Sequence, residues 1–151
     1  LRCLVGSEMC IRDSNMAGYT ISADVMGEQV RDNLPNMGIT AHRYILQLVG
    51  NEQKLRVSAW DAVPRVSKES HFDWEPDTWY RLKMMVKVDG DRAHVLGKVW
   101  KKSDTEPSSW NLTLTDDNPN RTGPPGIYGS ALGIQPPKTG TPIYYDNILV
   151  E

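Results

Sequence analysis

Apolar and polar side chains alternate along most of the chain from Tyr19 onward. In the stretch YTISADV every second residue is apolar, and the residues between are polar. The stretches KLRVSAW and WYRLKMMVKV repeat this alternation, and AHVLGKVW follows after Asp89-Gly90-Asp91. A period of two predicts half-buried β-strands, and Gly90 suits a tight hairpin turn because glycine accepts a positive φ.

Further strands are predicted in HRYILQLVG, WNLTLT, GIYGSAL and PIYYDNILV. Loops rich in Gly, Pro, Asn and Asp lie between the strands, notably GEQVRDNLPN, DDNPNRTGPPG and GIQPPKTGTP. No stretch carries a convincing helical stripe of useful length. About eight or nine short strands, spaced by roughly 8–12 residues, predict an all-β antiparallel sandwich.

The first fourteen residues do not share this pattern. The segment from Leu4 to about Ser14, LVGSEMCIRDS, resembles the translation of a transposase adapter used in shotgun sequencing libraries. We therefore expect residues 1–14 to be non-native and residues 15–151 to form one β-sandwich domain, the C-terminal part of a longer protein. Both cysteines, Cys3 and Cys10, fall in the adapter-like segment, so the native domain is expected to contain none.

Charge and hydropathy exclude two classes of partner. The chain carries 17 Lys and Arg against 19 Asp and Glu, a formal net charge of -2. A nucleic-acid surface would show clustered basic residues, so no nucleic-acid partner is expected. No apolar run approaches the length of a transmembrane helix, so no membrane span is expected either.

Two groups of oxygen ligands bear on metal binding. The loop sequence DDNPN concentrates carboxylates and amides, but it lacks EF-hand spacing and is more typical of an Asx-rich turn. Asp146, near the final strand, and Asp24, in the first strand, are predicted neighbours at which a structural calcium ion is possible. A surface-facing strand aspartate is the more ordinary interpretation of each residue, and no other cofactor is expected.

Motifs for catalysis are weak. His42, His71 and His94 lie far apart in the sequence and do not have metal-ligand spacing. Several carboxylates are candidates for a glycosidase pair, but sequence spacing does not choose among them. These candidates are Asp24, Glu28, Asp61, Asp73 and Glu75. The residues therefore give no evidence for an enzyme.

Tryptophan is abundant, with five residues against a single phenylalanine. Trp110 alternates with leucines and is expected in the core, whereas Trp60 and Trp100 fall opposite the apolar register of their strands. Those two are candidates for a solvent-facing platform that stacks on sugar rings; the alternative is that the second sheet covers them. His42, Arg43 and Tyr44, at the start of HRYILQLVG, are the candidates for polar contacts to such a ligand.

Several of these stretches carry a family resemblance. They are Tyr19–Val25, Gly38 to Arg43-Tyr44, Trp79–Lys83, Lys98–Trp100 and Tyr144–Val150. In this order they resemble the concanavalin A/laminin G-like sandwiches, a group that includes 3-keto-disaccharide hydrolase-like domains. More specifically, they resemble the C-terminal sandwich of bacterial pyrroloquinoline-quinone (PQQ)-type β-propeller proteins. The resemblance implies a jelly-roll domain, periplasmic or extracellular, without catalytic residues of its own.

Pattern and resemblance together predict a non-catalytic module that binds a carbohydrate or a protein partner. Its expected ligand-binding residues are Trp60, Trp100, Arg43, His42 and Tyr44. Two alternatives stay open. One is a glycoside hydrolase of the 3-keto-disaccharide type, and the other is a purely structural domain that docks on an upstream β-propeller.

Overall fold

The structure is a computed structural model that describes residues 18–131 and 140–151, so the adapter-like segment 1–14 lies outside the described residues. All regular elements in the described ranges are β-strands. They are β1 (Gly18–Gly27), β2 (Asn36–Ala41), β3 (Tyr44–Val49), β4 (Lys54–Ala59), β5 (Ser67–His71), β6 (Tyr80–Asp89), β7 (Arg92–Lys101), β8 (Leu112–Asp116), β9 (Gly126–Ser130) and β10 (Ile143–Val150).

The strands form two five-stranded sheets. The first sheet has the order β10-β1-β6-β7-β8, and the second has the order β5-β4-β3-β2-β9. Every neighbouring pair is antiparallel. The all-β antiparallel sandwich predicted from the alternation is therefore confirmed.

The core lies between the sheets and is built by the alternating apolar positions. Ile21, Leu46 and Leu82, from three different strands, are fully buried. Burial of a side chain of this size contributes roughly 1.5–3 kcal/mol each. The predicted hairpin is present as β6 and β7, with Asp89 paired to Arg92 and Gly90 at a φ of 58°.

Two strands were not predicted. In β2 the apolar residues Met37, Ile39 and Ala41 do alternate, but the strand is short and follows directly on a loop rich in turn residues. Most residues of β5, with the sequence SKESH, are exposed, and the strand pairs only with β4 within the second sheet. An exposed edge strand has no apolar periodicity, because it has little to bury.

The loop at 102–111 lies over the outer face of the first sheet. Lys98, on that face, donates to the backbone carbonyl of Pro107 at 2.7 Å and pairs with Glu106 at 2.7 Å. Its ammonium group lies 5.6 Å from the ring centroid of Trp100 and 4.8 Å from that of Trp110. The expectation that Trp110 lies in the core is wrong, since its ring packs on Lys98 outside the sandwich.

Among residues 18–131 and 140–151, the structure contains no helix long and apolar enough to cross a membrane.

Candidate functional site

A two-residue turn joins β2 to β3 and presents Arg43 to solvent. His42 and Arg43 have φ angles of 48° and 59°, so both take the left-handed conformation that a tight hairpin requires. Most residues other than glycine, asparagine and aspartate pay a steric cost there. The surrounding contacts must therefore hold this turn in place.

Gly123 and Tyr19 hold the turn from beneath. A Cβ at Gly123 would lie 2.7 Å from the backbone nitrogen of Arg43, so only glycine allows this close approach. The Tyr19 hydroxyl donates to the carbonyl of Gly123 at 2.8 Å and accepts from the backbone N–H of His42 at 3.2 Å. One phenol thus ties the turn to the loop that crosses it.

The carbonyl of Arg43 links the turn to two other segments. It accepts the backbone N–H of Trp60 at 2.7 Å and the side-chain amide of Asn120 at 3.0 Å. Trp60 is 53% exposed, and its ring stands edge-to-face against Tyr128 with a centroid distance of 6.5 Å. The turn therefore fixes an exposed tryptophan beside the exposed Arg43.

A pocket of about 210 Å³ opens between these side chains. Its lining residues are Thr40, Arg43, Trp60, Pro124, Pro125, Gly126 and Ile127. Trp60 and Ile127 are the large exposed apolar groups of this lining, and Arg43 is the only ionisable group among the described residues that form it. We refer to these seven residues as the Trp60 pocket.

Tyr44 is not a surface residue. It is fully buried, and its hydroxyl donates to Asp116 at 2.6 Å while accepting the backbone N–H of Asn120 at 3.1 Å. Burial, reinforced by the Asp116 carboxylate, raises the pKa of Tyr44 well above its ordinary value. The expectation that Tyr44 contacts a ligand directly is therefore wrong, because its side chain faces the interior.

The same carboxylate organises the DDNPN loop. Arg65 donates to Asp116, and Arg65 also bonds the carbonyl of Asn118 at 2.8 Å. The backbone N–H of Asn118 donates to Asp116 at 3.0 Å, which is the Asx turn that the loop sequence indicated. This network is buried at Tyr44 and Asp116, reaches the surface at Arg65, and supports the turn that carries Arg43.

His42 is fully buried as well, with its ring 4.8 Å from that of Tyr19. Neither ring nitrogen has a partner with hydrogen-bond geometry in residues 18–131 and 140–151. Burial lowers the pKa of His42, and the backbone of Arg121 offsets this only in part. The expectation of a ligand contact from His42 is wrong for the same reason as for Tyr44.

Trp100 does not share a platform with Trp60. It lies on β7 of the first sheet and is only 9% exposed, whereas Trp60 follows β4 of the second sheet. Both rings are opposite the apolar register, as the sequence indicated, but the ammonium group of Lys98 lies 5.6 Å from the centroid of the Trp100 ring. Its neighbour Val99 belongs to the core between the sheets, so Trp100 is buried on the outer face of the first sheet and not under the second sheet.

Asp24 and Asp146 lie opposite each other across β1 and β10, as predicted. The Asp24 carboxylate is held by Arg81, Lys102 and Asn147, each at 2.7 Å. Burial raises the pKa of Asp24, but the bonds from Asn147, Lys102 and Arg81 outweigh it and hold the pKa below its usual value. A calcium ion at this position stays a prediction, and it would compete with two cationic side chains.

A larger pocket, of about 390 Å³, lies beside the start of β1 and the second half of β6. None of the described residues that line it is an exposed aromatic, since Tyr19 is 4% exposed. The smaller Trp60 pocket is therefore the better candidate for stacking on a ligand.

The sequence missed several residues of the Trp60 pocket. Thr40 belongs to the unpredicted strand β2. Pro124 and Pro125 come from the loop before β9, and Gly126 begins β9, all far from Trp60 in sequence. The only available signal was the turn sequence GPPG, which marks a loop but not the element on which that loop packs.

Comparison with known proteins agrees with the fold. No protein-family profile matches this chain, and no curated protein sequence does. Among solved structures, sheep galectin-11 in complex with glycerol is similar, with a TM-score of 0.53 and 7% identity over 91% of this chain and 92% of that one. Chicken galectin 2 gives a TM-score of 0.43 and 13% identity over 92% and 93%. The likeness to sheep galectin-11 shows the fold alone, a jelly-roll β-sandwich of the concanavalin A-like class.

Proposed function

We propose that this protein is a non-catalytic carbohydrate-binding module whose ligand stacks on Trp60. The observation that carries the proposal is an exposed tryptophan fixed beside an exposed arginine at a pocket. The ring of Trp60 supplies a flat apolar face for the C–H side of a sugar. Arg43 supplies an exposed polar group beside it, and Thr40 supplies a largely buried one in the pocket lining. The similar sheep galectin-11 was solved with glycerol, a polyol, which is in keeping with this chemistry.

The contacts that hold the site in place favour a ligand-binding role for Trp60 over an exposed ring without a function. Trp60 is held through its backbone to Arg43, and Arg43 sits in a two-residue turn locked by Tyr19 and Gly123. A site that is already ordered before binding loses less conformational entropy when the ligand arrives.

The test is binding to a glycan array and titration of the best hit with Trp60→Ala. We expect affinity to fall at least tenfold, because truncation of a central aromatic contact costs about 2 kcal/mol. The matched control is Tyr144→Ala, since Tyr144 is also an exposed ring, 43% accessible, but lies on β10 of the other sheet. Unchanged binding by Trp60→Ala, or equal loss in both variants, would refute the proposal.

A propeller context and a periplasmic or extracellular location remain part of this proposal. The edge strand β10 exposes Tyr144, Ile148 and Leu149 by 43–52%, and an upstream domain is a suitable cover for such an apolar edge.

The hydrolase alternative would need carboxylates that are free to act on a substrate. Among the described residues, the buried carboxylates Asp24 and Asp116 both bind arginine side chains. No observation favours the hydrolase alternative over the binding module.

A further inference from the structure

We propose that the ligand of the Trp60 pocket is an acidic sugar, whose carboxylate or sulfate binds the guanidinium of Arg43. This inference rests on the proposed function and adds the chemical class of the ligand. It starts from the charges around the pocket, which are not balanced.

Arg43 has no acidic partner in the described part of the chain, whereas its neighbours do. Arg65 pairs with Asp61 at 2.6 Å and with Asp116, and Arg121 pairs with Asp91 at 3.0 Å. None of the described residues that line the Trp60 pocket carries a carboxylate. The pocket therefore presents one uncompensated positive charge, although the chain as a whole is slightly acidic.

The position of Arg43 favours recognition over a freely moving surface charge. Its backbone is fixed in the left-handed region, and its carbonyl is held by Trp60 and Asn120. A guanidinium offers parallel N–H donors that match the two oxygens of a carboxylate or sulfate. A sugar stacked on Trp60 would thus place an anionic substituent within reach of this fork.

Two matched pairs of oligosaccharides test the proposal and separate the two sources of charge. The first pair is an oligogalacturonide and its methyl ester, and the second is a sulfated oligosaccharide and its unsulfated parent. We expect the charged member of at least one pair to bind at least tenfold tighter. This preference should shrink as salt is raised from about 50 to about 500 mM, since added salt screens exposed charges.

Arg43→Gln should abolish the preference while retaining weaker, Trp60-dependent binding of the charged and neutral members alike. Arg31→Gln is the matched control, because Arg31 is also exposed, has no ion pair among the described residues and has a φ of 57°. Equal binding of both members of each pair, or a preference that survives Arg43→Gln, would overturn the acidic-sugar proposal and leave the carbohydrate module standing. If the unaltered protein binds no glycan at all, both the acidic-sugar proposal and the carbohydrate-binding module are refuted.

Discussion

At the residue scale, two tryptophans with the same sequence signal have opposite environments. Trp60 and Trp100 both point away from the sandwich core, yet one is 53% and the other 9% exposed. Lys98 lies against the Trp100 ring and is itself held by Pro107 and Glu106 of the loop at 102–111, whereas Trp60 lines an open pocket. Register alone gives the side of a sheet on which a ring lies, but it does not say whether a loop covers that side.

This difference predicts unequal costs of truncation. Trp100→Ala should lower the free energy of unfolding by about 3 kcal/mol, because it removes a buried ring and its contact with Lys98. Trp60→Ala should cost less than about 1 kcal/mol, as expected for a half-exposed side chain. Urea unfolding of both variants measures these values, and equal costs would contradict the assigned environments.

His42 predicts a pH dependence of stability. Since burial lowers its pKa in the folded state, the unfolded chain takes up a proton near pH 6.5 while the folded chain does not. The contribution of His42 to the free energy of unfolding is therefore at its maximum above about pH 6.5. It declines as the pH falls toward the lowered pKa of His42 in the folded state.

His42→Asn removes the titrating group and keeps a residue that tolerates a positive φ. Its unfolding free energy should change less between pH 7 and pH 5 than that of the unaltered protein, even if the variant is less stable throughout. His71→Asn, at an exposed histidine, is the control for the substitution itself. The assignment fails if His42→Asn retains the full slope.

At the scale of elements, one buried carboxylate connects β8, β3 and the segment after β4. Asp116, at the end of β8, accepts from Tyr44 and from Arg65. Tyr44 begins β3, and Arg65 lies in the segment between β4 and β5. Such a network fixes the relative placement of the hairpin turn and the loop that line the Trp60 pocket. The sequence showed the aspartate-rich loop but gave no indication of its distant partners.

Asp116→Asn should lower the unfolding free energy by about 3 kcal/mol, because the guanidinium of Arg65 would then face a buried neutral amide in place of a carboxylate. Asp117→Asn is the control next to it in sequence, since Asp117 forms an ion pair with Arg92 at the surface and should matter much less. Thermal or urea unfolding compares the two. A smaller loss for Asp116→Asn than for Asp117→Asn would contradict the buried network.

The calcium prediction for Asp24 and Asp146 also belongs to this scale. Bound calcium would have to displace Arg81 or Lys102 from Asp24, so the ion pairs predict equal melting temperatures in calcium and in chelator. A melting temperature that is higher in calcium than in chelator, with the difference abolished by Asp146→Asn, would instead support the metal site.

At the scale of the whole molecule, alternation was sufficient to predict the sandwich. Eight of the strands carry enough apolar periodicity to be recognised, and β2 and β5 were missed because one is short and the other has little buried surface. The pocket was predicted only in part, as Trp60 and Arg43, since its other walls come from strands and loops distant in sequence. Fold class itself does not decide function, because one sandwich architecture supports many sites.

The adapter-like segment makes a prediction about the whole chain. Since β1 begins at Gly18 and is paired on both sides, with β6 and β10, the sandwich should not need residues 1–14. Deletion of residues 1–14 should leave the melting temperature and glycan binding unchanged. A clear loss of stability would show that the segment contributes to the fold.

The central claim is that a carbohydrate binds at Trp60 and not elsewhere, and NMR tests it most directly. The five tryptophans give five indole N–H signals, and Trp60 can be assigned by its alanine variant. On titration with the best-binding glycan, the Trp60 signal and the amides of Arg43 and Gly126 should shift, with the other four indoles nearly unmoved. Shifts centred on another tryptophan or on β10, with Trp60 unperturbed, would contradict the account.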